Sequence, residues 1–158
     1  MKKLIISVLT FALCSSLVLA SFTSCQSTKN VSSVEDSALS VGDSGEGGGL
    51  IFQIKDGLYY ECAELPDRVK WEDADAAVKA YNGGEFTDWR LPNREELDAI
   101  YQNLRAKEII TVNGLYWTSE LQDESHAWGQ RFNSGGTGAH DLAVGHSHNV
   151  FAVRAFSR

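Results

Sequence analysis

The chain divides into four stretches by the rhythm of its apolar and polar positions. Leu4 to Ala20 carries no charge and follows Lys2 and Lys3, the basic start and apolar middle of a secretory signal, slightly short for a stable membrane span. From Cys25 to Gly48 the apolar residues thin out into Ser, Gly and Asp, a composition that buries too little surface to fold and reads as a flexible tether. Order begins at Gly49. The runs LIFQI and LYYEC flank Lys55-Asp56-Gly57, and an Asp-Gly pair accepts the positive dihedrals of a tight hairpin turn. In WEDADAAVKAYNGG, Trp71, Ala74, Val78 and Tyr81 recur at helical spacing. Glu72, Asp73 and Asp75 sit where the helix dipole favours acids, and Asn82-Gly83-Gly84 ends the run. A second helix starts after Pro92, with Asn93 as N-cap and Glu96 as its capping-box partner, and buries Leu97, Ile100 or Tyr101, and Leu104.

After Asn113-Gly114 the period shortens to two. LYWTSE, HAWGQRFN, AHDLAV and NVFAVRAF are short runs rich in aromatic and β-branched residues, set apart by DES, SGGTG and GHS, and they predict an antiparallel meander. In the last run Val150, Ala152, Arg154 and Phe156 share one face while Phe151, Val153 and Ala155 share the other. Apolar content on both faces predicts a strand inside the domain. Hairpin, two helices and meander make an α+β domain over residues 49–158, preceded by a signal peptide at 1–24 and the tether at 25–48.

Charge narrows the partners. The formal charge is −7, and removal of residues 1–24 takes away two lysines and no acid, leaving −9. No basic run compensates, which disfavours nucleic acid as an electrostatic partner. Phe22-Thr23-Ser24-Cys25 resembles a bacterial lipoprotein processing box, with Phe22 where Leu is usual, and makes Cys25 the lipidated membrane anchor. Val18-Leu19-Ala20 is a rival site for plain secretory cleavage, and the polar tether after Cys25 favours the anchored reading. Of the three cysteines, Cys14 leaves with the signal and Cys25 is taken by lipid, so Cys62 is expected as a small buried hydrophobe. An unlipidated Cys25 would reopen a bridge to Cys62. Gln26 stands where many inner-membrane lipoproteins resemble one another in carrying Asp, which favours the outer membrane.

The pieces KWEDADAAVKAYNGGEFTDWRLPNREELDAIY, LYWTSE, HAWGQRFNSGG and FAVRAF, in that order over residues 49–158, resemble the Lcl C-terminal domain family, named for a collagen-like bacterial surface protein. The resemblance implies a C-type-lectin-like fold, related to that of the formylglycine-generating enzymes, with terminal strands brought together around two helices and a small sheet. It also implies binding, of glycans or host polymers, at a cell surface. The enzymatic relatives depend on active-site cysteines, and this domain holds Cys62 alone. Calcium-dependent lectins carry a Glu-Pro-Asn or Gln-Pro-Asp loop and a Trp-Asn-Asp strand; here Pro92 precedes a helix and Trp128 is followed by Gly129 and Gln130.

Residue by residue, Trp71, Trp89 and Trp117 are expected to seal helix against sheet, whereas Trp128, whose strand leads into the Gly-rich loop, is the best-placed stacking platform for a sugar. Arg90 and Arg154 lie among apolar neighbours and need carboxylates or carbonyls, so they read as structural locks with Asp88 as one candidate partner. Trp89, Arg90 and Pro92 form the joint that seats the second helix. His146-Ser-His148 sets two imidazoles on one side of an extended segment, with His140 or Asp141 as a third ligand in a zinc reading, but a short HxH in a turn is read here as a solvated loop. No metal or cofactor is assigned. Serine elbows, Walker loops and dinucleotide fingerprints are missing, and adjacent acids such as Glu95 and Glu96 point about 100° apart on a helix. Two functions remain. One is a lipid-anchored, non-enzymatic binding module whose loops at 119–126, 133–139 and 145–149 present Gln122, Asn133, His146 and Asn149, beside Trp128, to a glycan or a protein of the envelope or host. The other is a structural envelope lipoprotein that docks onto a larger protein assembly.

Overall fold

The hairpin expected at the start of the domain forms from β1 (Leu50–Lys55) and β2 (Leu58–Glu64). Lys55 pairs with Leu58, and the two residues between them, Asp56 at φ 54° and Gly57 at φ 78°, both take the left-handed backbone that such a turn requires. The computed structural model describes residues 38–133 and 139–158, with side chains described outside 139–141; the signal segment, Cys25, the tether to Ser37 and the loop at 134–138 lie outside the described residues.

Two helices follow where the apolar spacing places them. Helix α1 (Trp71–Ala80) buries Ala74 and Val78 completely and leaves Trp71 and Tyr81 half-buried at its ends. Helix α2 (Arg94–Ile100) begins with a capping box: Glu96 N–H donates to Asn93 Oδ1 at 2.8 Å, and Asn93 N–H donates to the Glu96 carboxylate at 2.9 Å. It continues as a π turn over Tyr101–Arg105, in which Tyr101 and Leu104 stay buried. Among the described residues no helix is long and apolar enough to cross a membrane.

The remaining strands are β3 (Val69–Lys70), β4 (Leu115–Leu121), β5 (His126–Arg131), β6 (Ala139–Ala143), β7 (Ser147–His148) and β8 (Phe151–Phe156). They make three antiparallel sheets, β1-β2-β8, β3-β7 and β4-β5-β6, so the domain is α+β with two helices. The last strand does not continue the meander but meets the expectation that the terminal strands come together. It leaves β6 and pairs with β2, bringing the two ends of the domain together, with Glu61 opposite Arg154. Its outer edge is closed by the backbone of Arg90, whose N–H and carbonyl exchange hydrogen bonds with Val153 at 2.9 and 2.8 Å. The two apolar faces of β8 serve two cores: Phe151 and Val153 pack with Phe52, Leu97, Ile100 and Tyr116, and Ala152 packs with Val78, Trp89, Trp117 and Ala127. The sheet β3-β7 was not foreseen because two-residue strands have no period to read.

The fold also starts before Leu50. Composition assigns the tether up to Gly48, yet Gly42 N–H donates to Ile51 O at 2.8 Å, Gly45 N–H to Gly49 O at 2.8 Å, and Gly47 N–H to the Glu61 carboxylate at 3.0 Å. A Cβ on Gly47 would lie 2.4 Å from the Trp89 ring, and one on Gly49 would lie 2.5 Å from the Cys62 carbonyl. Here glycine serves close backbone approach rather than flexibility.

The expected locks find carboxylates: Arg154 takes the candidate partner Asp88 and also Glu61, and Arg90 takes Glu96. Arg154, 5% exposed, donates to Glu61 at 2.6 Å and to Asp88 at 2.8 Å, and its guanidinium lies 3.7 Å from the Phe86 ring centre. Burial pulls its pKa down, and the bonds to Asp88 and Glu61 more than reverse that, leaving it raised. Arg90 grips Glu96 in a fork at 2.7 and 2.5 Å. Burial pushes the Glu96 carboxyl up, but Arg90 and the Asn93 N–H together hold it below its ordinary value. Pro92 is buried, and its carbonyl accepts Ser119 N–H at 2.8 Å, so residues 90–92 bridge β8 to β4. Trp71, Trp89 and Trp117 donate their indole N–H groups to the carbonyls of Thr118, Gly83 and Val69 at 2.9, 3.1 and 2.8 Å. Cys62 is free and buried, and burial together with Glu61 and Glu64 drives its thiol far above the usual range.

Because removing one member of a buried pair strands the other's charge, Arg154→Met is expected to lower the unfolding free energy by about 3–5 kcal/mol. Adding Glu61→Gln should recover part of that loss in urea unfolding, and strictly additive losses would show that the two residues act independently.

A candidate ligand-binding basin

The approach to the basin is fixed by Arg105, whose guanidinium donates to the carbonyls of Val112 at 2.8 Å and Phe132 at 3.1 Å and to Asn113 Oδ1 at 3.3 Å. Next in the chain stands Gly114, at φ 108°, on which the local geometry converges. Its N–H donates to Asn133 Oδ1 at 3.2 Å, its carbonyl accepts Phe132 N–H at 2.7 Å, and a Cβ there would lie 2.7 Å from Asn149 Nδ2. Asn149 is held on three sides: Nδ2 donates to Asn113 O at 3.3 Å, its N–H to Leu115 O at 2.9 Å, and its carbonyl accepts Trp117 N–H at 3.1 Å. These residues, with Arg68, Arg131 and His148, surround an open basin of about 370 Å³.

His148 forms one wall. It pairs with Val69 across β3-β7, lies edge-on to the Trp117 ring at 4.7 Å, and is 7% exposed. Its Nδ1 is buried without a hydrogen-bond partner among the described residues. Burial lowers its pKa, and the positive charges of Arg68, His146 and Arg131 lower it further, so the ring is neutral at pH 7. Arg68 donates to Ser147 O at 2.7 Å, while Arg131 is exposed and has no ion pair or hydrogen bond of its side chain among the described residues.

A larger groove of about 480 Å³ lies between α1 and the 90–93 segment, and three of its polar side chains are already engaged. Asp75 pairs with Lys79 at 2.5 Å, Arg90 with Glu96, and the Trp71 N–H with Thr118 O. The exposed Asp123 and Ser125 and the half-buried His126 superficially suggest a relay. One imidazole nitrogen, Nδ1, faces both Ser125 Oγ at 2.9 Å and Asp123 Oδ1 at 3.2 Å, so no hydroxyl–base–acid line is formed. Ser125, through its N–H and hydroxyl, holds the Asp123 carboxyl at about 2, with a smaller contribution from His126. Among the described residues no three His, Cys, Asp or Glu side chains gather to hold a metal; the His140 and Asp141 side chains lie outside them.

The profile of the Lcl C-terminal domain matches residues 50–154, from the first residue of β1 to Arg154 in β8. The chain belongs to the Lcl C-terminal domain family. No curated protein matches it. A solved structure of the EPNH mutant of CEL-I is similar over 67% of this chain and 94% of its own, at 11% identity and a TM-score of 0.40.

Within this Lcl C-terminal domain the expected binding residues are divided. Asn133 and Asn149 meet in the basin. His146 is exposed on the adjoining turn, its ring 6.3 Å from that of buried His148, so the HxH pair splits between solvent and core. Gln122 lies at the opposite end of the seven-residue strand β4, roughly 20 Å away at strand spacing. Trp128 is half-buried with the Arg94 guanidinium 4.1 Å above its ring, so that face is already occupied. The sequence reading missed Arg68, Arg131 and Gly114 as site residues. Asn113-Gly114 did mark a change of structure, but nothing local tells that two strand-end arginines converge.

Gly114→Ala is expected to cost about 1–3 kcal/mol in urea unfolding and to displace the Asn149 side chain, read as a shift of its side-chain amide NMR signals. The buried imidazole also carries a pH signature. Above the ordinary histidine pKa both folded and unfolded chains are neutral at His148; below it the unfolded chain takes up a proton that the folded chain refuses down to its lowered value. Stability should therefore fall as pH drops through about 6.5, and His148→Gln should flatten that part of the profile.

Proposed function

We propose that the chain is a bacterial envelope lipoprotein, anchored by lipid at Cys25 with the outer membrane favoured, whose domain is a non-enzymatic binding module of C-type-lectin-like architecture for a glycan or protein. The observation that carries the binding reading is the basin itself. It brings Asn133 and Asn149 together beside two arginines, leaving polar capacity that is not satisfied among the described residues. Family membership supports the same reading, and the processing box with its polar follow-on supports the anchor.

Two measurements test it. Intact mass of the mature N-terminus should give an acylated Cys25, whereas an unmodified start at Ser21 would contradict the anchor. Glycan arrays and pull-downs from detergent-solubilised envelope should give reproducible hits that Asn133→Ala weakens at least tenfold. Blank arrays together with a stoichiometric assembly partner indifferent to that substitution would favour structural docking instead.

A further inference from the structure

The basin's charge differs from that of the chain. The protein is acidic, with formal charge −7, yet the basin's lining includes Arg68, Arg131 and His148 and no carboxylate. Elsewhere the arginines are engaged: Arg90 with Glu96, Arg154 with Glu61 and Asp88, Arg158 with Glu46, Arg105 with carbonyls, and Arg94 over Trp128. Neither Arg68 nor Arg131 meets a carboxylate among the described residues, and the loop that follows Asn133, SGGTG, contains no acid. Two guanidiniums around a concavity with no carboxylate in its described lining repel each other, and that repulsion is relieved when an anion enters.

The wall beside the two arginines is the neutral ring of His148, 7% exposed, which adds no negative charge to the lining. Its Nδ1 is buried behind that wall without a partner among the described residues, where an ordered water would satisfy it. Two amide groups complete the lining. Asn133 gives its Oδ1 to Gly114 and Asn149 gives its Nδ2 to Asn113, leaving Asn133 Nδ2 as a donor and Asn149 Oδ1 as an acceptor without protein partners among the described residues. One donor and one acceptor suit hydroxyls, which both give and take hydrogen bonds.

We infer that the basin binds an acidic sugar through its carboxylate, with Arg68 and Arg131 holding the carboxylate and Asn133 and Asn149 reading neighbouring hydroxyls. This rests on the binding-module reading above and names the ligand class for the same basin. A planar carboxylate fits the fork of a guanidinium, and about 370 Å³ suits one ring rather than a long segment. The net negative charge of the chain disfavours densely charged polyanions, which would need cations beyond the basin.

The full chain in detergent, titrated by calorimetry with methyl β-glucuronide, methyl β-glucoside and an acetylated dipeptide with a free C-terminus, tests this inference. The glucuronide should bind saturably and at least tenfold more tightly than the glucoside or the dipeptide. Arg131→Gln, an exposed substitution, should abolish that preference while keeping the wild-type unfolding midpoint, and Arg68→Gln, which also removes the bond to Ser147 O, should abolish it too. Equal binding of both sugars, sensitive to Asn133→Ala, would overturn the carboxylate assignment and leave the binding-module reading intact. Preference for the dipeptide would overturn the sugar assignment. Absence of binding by all three probes would overturn the inference, and array hits on unrelated ligands would then still support the module.

Discussion

The contact between Glu61 and Arg154 is the constraint on which the rest of the domain depends. The two residues face each other across β2 and β8, are 0% and 5% exposed, and lie 2.6 Å apart. Desolvating two charges is costly, and the pair is tolerable because every side of it is bonded: Gly47 N–H supports Glu61, while Asp88 and the Phe86 ring attend Arg154. One ion pair therefore fixes three separate segments. It draws in the glycine turn that opens the fold, joins the first hairpin to the last strand, and brings residues 86–88 against the sheet.

That docking carries through to the basin. Once residues 86–88 are held, Arg90 adds its backbone to the edge of β8, Glu96 and Asn93 start α2 against it, and the Pro92 carbonyl takes Ser119 N–H. The β4 sheet is thereby set against the β8 sheet. Between them the chain runs from β7 through Asn149 and Val150, bonded to Leu115 and Trp117 on one side and to Leu65 on the other. Asn149 and His148 are consequently parts of a crossing bonded on both sides, and the basin they wall is built on that bonded backbone.

Periodicity made most of the elements legible. The Asp56-Gly57 turn, the Ala74 and Val78 face, and the Asn93–Glu96 capping box are each decided by residues within a few positions of one another. Where a feature depends on distant segments, the sequence is silent. Gly47 and Gly49 look like tether by composition and are packed because Trp89 and Cys62 approach them from afar. Glu61 reaches Arg154 only because β2 and β8 pair across 93 positions of sequence. The residues expected to bind divide for the same reason: Asn133 and Asn149 come together through the Gly114 crossing, whereas Gln122 is at the far end of its hairpin and Trp128 lies under a helix residue. Loop position alone does not tell which end of a hairpin a residue occupies in space. Arginines at strand ends look like ordinary solvated charges until the pairing of β3 with β7 and of β4 with β5 brings them around one concavity.

The central claim is that recognition occurs at the Gly114 crossing and not at the opposite end of the β4–β5 hairpin. Amide chemical-shift mapping on the nitrogen-15-labelled chain, titrated with methyl β-glucuronide, reads this directly. The account predicts perturbations centred on Gly114, Arg131, Asn133 and Asn149, with the Gln122 and Trp128 amides unmoved. Perturbations centred on Gln122 to Trp128, with Gly114 and Asn149 still, would contradict it.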